Sequence, residues 1–132
     1  LLTSLLVLLL SACGPMDSYS ISVADHADAL TTAANDNLFT LTLTNASAPI
    51  AVADIIVSAG VAGQTATAVN FTHNDTNADG KLDVGESLSC KEPPLNLFDG
   101  TLAGKMVQVS LASKQANSSV LRSVASATWT AN

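Results

Sequence analysis

Phe39-Thr40-Leu41-Thr42-Leu43-Thr44 alternates apolar and hydroxyl-bearing side chains without a break. A β-strand turns successive side chains to opposite faces, so this stretch presents Phe39, Leu41 and Leu43 to one side and three threonines to the other, as a sheet with one wet face requires. The same period-two reading extends outward over residues 19–24, 38–44, 50–59, 65–72, 87–91, 106–113 and 123–131. In the last of these Ala125, Ala127 and Trp129 share a face. Turn chemistry separates the runs at Asn45-Ala46-Ser47-Ala48-Pro49 and at Asp99-Gly100, while Pro93-Pro94 removes two consecutive backbone donors and marks a strand exit or a protected edge. The pattern predicts an all-β domain, a β-sandwich of about seven strands. Residues 25–34, rich in Ala, are open to two readings, a short helix or a long loop. No internal repeat is visible, which argues against a solenoid or a propeller.

The 132 residues hold one domain. Apolar residues make up 48% of the chain but aromatic ones only 4%, so the core is expected to consist of Ala, Val, Leu and Ile around Trp129, Phe39, Phe71, Phe98 and Tyr19. Such a core gains from an added staple. Five Lys and Arg against eleven Asp and Glu give a net charge of −6, which repels phosphate backbones, and no nucleic-acid partner is expected.

Residues 1–12 form an uncharged apolar run, shorter than the ~20 residues a membrane-spanning helix needs. They match the apolar region of a signal peptide. Leu10-Ser11-Ala12-Cys13 then resembles the bacterial lipobox, in which an aliphatic and two small residues precede a cysteine that is acylated and becomes the mature N-terminus. The organisation expected is a signal peptide over residues 1–12, a lipidated tether over 13–18 and a sandwich domain over 19–132. The signal peptide has neither an initiator Met nor a basic start, so the sequence is expected to begin inside it. Gly14 follows the cysteine where lipoproteins kept at the inner membrane often carry Asp, and the resemblance implies export to the outer membrane or cell surface. With Cys13 acylated, Cys90 is left without a disulfide partner, and its phase with Leu88 predicts a buried, inert thiol.

Residues 75–86 read Asp-Thr-Asn-Ala-Asp-Gly-Lys-Leu-Asp-Val-Gly-Glu and fit the D-x-[DN]-x-[DN]-G-x₅-E calcium loop at every defined position. Ca²⁺ takes six to eight oxygens, and a chain coiling round the ion offers alternate residues to it. On this reading Asp75, Asn77 and Asp79 supply side-chain oxygens and Gly80 makes the sharp turn. Lys81 supplies its backbone carbonyl, Asp83 ligates directly or through water, and Glu86 closes the site with both carboxylate oxygens. Leu82 is the expected anchor into the core. The flanking segments Val69-Asn70-Phe71-Thr72 and Leu88-Ser89-Cys90 alternate like strands, which argues against a helix-loop-helix sensor.

The run over residues 38–132 resembles bacterial and archaeal surface domains of immunoglobulin-like fold. The resemblance rests on the strand Leu41-Thr42-Leu43-Thr44-Asn45, the strand that follows over residues 50–57, the Asp-x-Asn-x-Asp-Gly-x-Leu-Asp-x-Gly-Glu loop and the final Ala-Thr-Trp-Thr strand. It implies an immunoglobulin-like sandwich with an embedded calcium loop, of the kind found in adhesins, stalks and cell-wall proteins.

The two histidines, His26 and His73, accompany no Gly-x-Ser-x-Gly or Cys-x-x-Cys nucleophile motif, so no enzyme is expected. The expected function is a lipid-anchored structural or adhesive module of the cell envelope, held to the membrane through Cys13 and stabilised by one structural Ca²⁺. The alternative is a non-catalytic binding module for carbohydrate or for a periplasmic or surface partner protein, which needs an exposed aromatic platform.

Overall fold

A computed structural model describes residues 18–61, 63–93, 98, 100–102, 104–114 and 121–131. Cys13 and the lipobox lie outside the described residues, as do Asp99 of the expected turn and Pro94.

The chain is all-β. In order come β1 (Tyr19–Asp25), β2 (Asn37–Ala46), β3 (Ile50–Ala51), a 3-10 turn (Val52–Asp54), β4 (Ile55–Val61), β5 (Thr67–Asn74), β6 (Lys81–Leu82), β7 (Ser87–Lys91), a second 3-10 turn (Gly100–Leu102), β8 (Met106–Lys114) and β9 (Leu121–Thr130). Seven strands form one antiparallel sheet in the order β1-β2-β7-β5-β4-β8-β9, and β3 pairs separately with β6. Strand β5 belongs to two neighbourhoods. Its residues Thr67, Ala68 and Val69 pair with β4, while Asn70 through Asn74 pair with β7. The sheet therefore turns a corner within β5 and folds over into two layers, β1-β2-β7-β5 facing β4-β8-β9. With the short β3 and β6 set aside, this is the A-B-E-D and C-F-G order of a constant-type immunoglobulin sandwich. The outermost strands β1 and β9 lie against each other and nearly close the sheet.

Alternation supplies the core. Leu41 and Leu43 of β2, Leu88 and Cys90 of β7, Val69 of β5, Val57 and Ala59 of β4, Val107, Val109 and Leu111 of β8, and Trp129 of β9 all face inward and are buried. Each large apolar side chain moved from water contributes about 1.5–3 kcal/mol. Leu38 and Phe39 are consecutive and both buried, which simple alternation forbids. The register explains it: Asn37 pairs with Lys91 and Phe39 with Cys90, so β2 spends two steps against one of β7 and Leu38 is the extra residue of a bulge. Gly60 is required by the approach of the chain after β4, because a Cβ there would lie 2.8 Å from the Cα of Ala66.

The seven expected strands are present, with two differences. The apolar run over residues 50–59 is divided by the 3-10 turn at Val52–Asp54 into β3 and β4. Residues 25–34 contain no helix beyond the end of β1; they are a loop, tied where Asp36 accepts the backbone N–H of Thr31 at 2.6 Å and its hydroxyl at 2.8 Å. Of the expected core aromatics, Trp129, Phe39 and Phe98 are buried, and Tyr19 and Phe71 pack half-buried against the core.

Candidate functional site

Antiparallel pairing of β5 with β7 runs as far as Asn74 opposite Ser87, so the acidic loop over residues 75–86 is the connection between two adjacent strands. Its middle is pinned. Leu82 is fully buried, and β6 pairs Ile50 with Leu82 and Ala51 with Lys81, which places the expected anchor under the loop. The backbone N–H of Val52 also donates to the carbonyl of Gly80 at 3.1 Å.

Short side chains organise the first half of the loop around its own backbone. Oδ1 of Asp75 accepts the N–H of Asn77 at 3.3 Å, Oδ1 of Asn77 accepts that of Asp79 at 3.3 Å, and Oδ1 of Asp79 accepts that of Lys81 at 2.9 Å. These are successive Asx turns, for which Asp and Asn are suited. Oδ2 of Asp75 accepts the N–H of Gly80 at 2.9 Å across the loop. Gly80 adopts φ of 70°, as the turn reading expects, and Ala78 adopts φ of 58°, a conformation that is uncommon for a residue with a Cβ. Asn77 donates through Nδ2 to Oδ2 of Asp83 at 3.0 Å, joining the two limbs.

The carboxylates converge. Ligand atoms of Asp79, Asp83 and Glu86 lie within 4.8 Å of one another, as do those of His73, Asp75 and Glu86. Oxygens on opposite sides of a Ca²⁺ with bonds of ~2.3–2.6 Å are ~4.6–5.2 Å apart, so the first group has the right scale. The Asn77 amide favours the ionised form of Asp83, yet partial desolvation and the neighbouring carboxylates of Asp79 and Glu86 outweigh it and raise the Asp83 carboxyl above its usual range. Carboxylates crowded in this way gain from a cation. Lys81 lies in β6 with its side chain exposed.

Glu86 differs from the others. It is 3% exposed, and its carboxylate accepts four hydrogen bonds from the protein. Oε1 takes the ring Nε2 of His73 at 2.9 Å and the backbone N–H of Asp83 at 3.0 Å; Oε2 takes the backbone N–H and the hydroxyl of Thr76, both at 2.9 Å. The N–H of Asp83, then that of Thr76, the His73 ring and the Thr76 hydroxyl together hold the carboxyl down to about 2, against burial, which acts the other way. At neutral pH Glu86 is therefore ionised and accepts only, so Nε2 of His73 carries the hydrogen. The other ring nitrogen lies 4.0 Å from Oδ2 of Asp75. Oxygens of Asp79 and Asp83 thus crowd within 4.8 Å of each other and of Glu86, whose own carboxylate is engaged by four donors.

His73 and Thr76 are the residues of this site that sequence reasoning did not assign. The signal for His73 was its phase with Val69 and Phe71 along β5, which turns it inward beside the loop. No comparable signal marks Thr76.

Two other carboxylates are tied to the core. Glu92 is fully buried, and Oε2 accepts the N–H of Phe98 at 2.6 Å. Asp25 accepts the indole N–H of Trp129. Cys90 is buried, with Sγ 3.6 Å from the carbonyl of Leu88, and desolvation pushes its thiol up to about 12.

Comparison with protein-family models, with curated proteins and with solved structures finds no match.

Proposed function

We propose that the chain is a lipid-anchored module of the cell envelope, structural or adhesive in role, whose sandwich is stiffened by one Ca²⁺ in the loop over residues 75–86. The observation that carries this reading is the crowding of the Asp79 and Asp83 carboxylate oxygens, within 4.8 Å of each other beside the charge of Glu86, in a loop joining two core strands. Asp75, Asn77, Asp79 and Asp83 supply side-chain oxygens and Lys81 a carbonyl, a set of hard donors suited to Ca²⁺. Because Leu82 sits in the core, ordering the loop is coupled to ordering the sandwich. Extracellular calcium modules bind with Kd of ~10⁻⁴ to 10⁻³ M, and free ion at a hundred times Kd adds ~2.7 kcal/mol of stability. That is a substantial part of a total of ~5–15 kcal/mol. Attachment through an acylated Cys13 places the module on an outer surface, within reach of a surface protein or a glycan.

Calorimetric titration with Ca²⁺ tests the metal half of the proposal, with Asp79→Asn as the comparison. Saturable binding that the substitution weakens severely is expected; no heat of binding in the wild-type chain refutes it. Labelling with a fatty-acid analogue in a bacterial host tests the anchor: label on the wild-type chain and none on Cys13→Ser is expected, and equal label on both refutes it.

A further inference from the structure

Residues 75–86 must leave β5 and return to β7 at adjacent positions, and closing so long a connection costs chain entropy that some contact has to offset. Most bonds within the loop are local. Besides the bond from Asn77 to Asp83, those that tie its last residues to its first converge on Glu86. The backbone of Glu86 is fixed on β2, where the N–H of Leu43 donates to its carbonyl at 3.1 Å and the N–H of Gly85 donates to the carbonyl of Leu43 at 2.8 Å. From that position the side chain reaches back to His73 at the end of β5 and to Thr76 at the loop entrance.

An ionised carboxylate offers about four acceptor sites, and here four donors occupy them. A bidentate calcium ligand instead turns both oxygens to the ion. We infer that Glu86 is the clasp of this loop rather than its closing metal ligand. It ties the two ends together through His73, Thr76 and Asp83, and a cation is held by Asp75, Asn77, Asp79, Asp83 and the Lys81 carbonyl. The assignment of the clasp stands without any ion; only the division of ligands rests on the calcium reading. The charge of Glu86 still adds to the field at the loop centre, so its removal weakens cation binding through Coulomb attraction alone.

The test is thermal unfolding of the wild-type chain, Glu86→Gln and Thr76→Val, each in calcium and in excess chelator. A Gln amide places donors against the N–H groups of Asp83 or Thr76, so Glu86→Gln is expected to lower the midpoint by several degrees in chelator and by only slightly more in calcium. Its calcium Kd should rise only a few-fold. Thr76→Val removes one donor and no ligand, and is expected to give a smaller drop, equal in both conditions; it decides the matter if Glu86→Gln does not fold. A loss confined to calcium for Glu86→Gln, or no effect of Thr76→Val in either condition, overturns the clasp. If the losses are equal but the wild-type midpoint ignores calcium, the clasp stands and the calcium reading falls.

Discussion

The indole N–H of Trp129, near the end of β9, donates to Oδ1 of Asp25 at the end of β1 at 2.6 Å, across the seam where the two outermost strands meet. Trp129 also packs on Phe39 with ring centroids 5.0 Å apart and the planes tilted by 54°. One side chain thus joins β9 to both β1 and β2. Trp129→Phe keeps most of the ring and loses the bond, and should cost about 1 kcal/mol, whereas Trp129→Ala should cost about 3–5 kcal/mol. Urea unfolding of the two variants checks this; equal losses would mean that the bond carries the contribution and the ring fill adds nothing.

Leu82 carries the loop's attachment to the core. Leu82→Ala should destabilise by about 2–5 kcal/mol, and Val84→Ala, at a side chain 55% exposed two residues later, by less than about 0.5 kcal/mol. Chemical denaturation measures both. A small effect at Leu82 would detach the loop from the sandwich energetically.

Glu86 gives the loop an acid dependence with a definite sign. Its carboxyl lies at about 2 in the folded chain against an ordinary 4.5, so its contribution is fully present above 4.5 and is lost as pH falls through 2. In chelator the wild-type chain should lose stability over that window, and Glu86→Gln should show a flatter profile there. Parallel pH profiles would contradict it.

Asp83 has the opposite sign, because its carboxyl is raised in the folded chain and ionisation costs stability at neutral pH. Asp83→Asn keeps an acceptor for Asn77, so it should raise the midpoint in chelator and lower it in calcium. Equal shifts in both conditions would count against cation binding at this position.

Cys90 should be silent in the native chain. In a Cys13→Ser background it should react with a thiol-specific reagent only on unfolding, since its thiol is buried and pushed up to about 12. Fast native labelling would place it at the surface.

The parts of the fold legible in sequence are those whose physics is local. Phe39 through Thr44 alternate because a half-buried strand must, and Ser87 through Lys91 begin and end where their alternation does. Residues 50–59 read as one strand because Ile50, Val52, Ile55 and Val57 are all apolar, and nothing local shows that Val52–Asp54 turns. Strand β6 is only Lys81–Leu82 and exists by pairing with Ile50 and Ala51, a contact across the chain. The loop divides in the same way. Asp75, Asn77 and Asp79 form successive Asx turns that residue type and spacing foretell. The partners of Glu86 depend on the register of β5 against β7, which brings His73 and Thr76 to it, and no spacing rule contains that register.

The most direct test of the calcium-stiffened module is thermal unfolding of the wild-type chain in millimolar Ca²⁺, in equal Mg²⁺ and in excess chelator. A rise of several degrees in Ca²⁺ and little change in Mg²⁺ is the expected result, from mass-action stabilisation by an ion above its Kd. Identical midpoints in all three conditions would contradict it and leave residues 75–86 as a hydrogen-bonded loop closed by Glu86 alone.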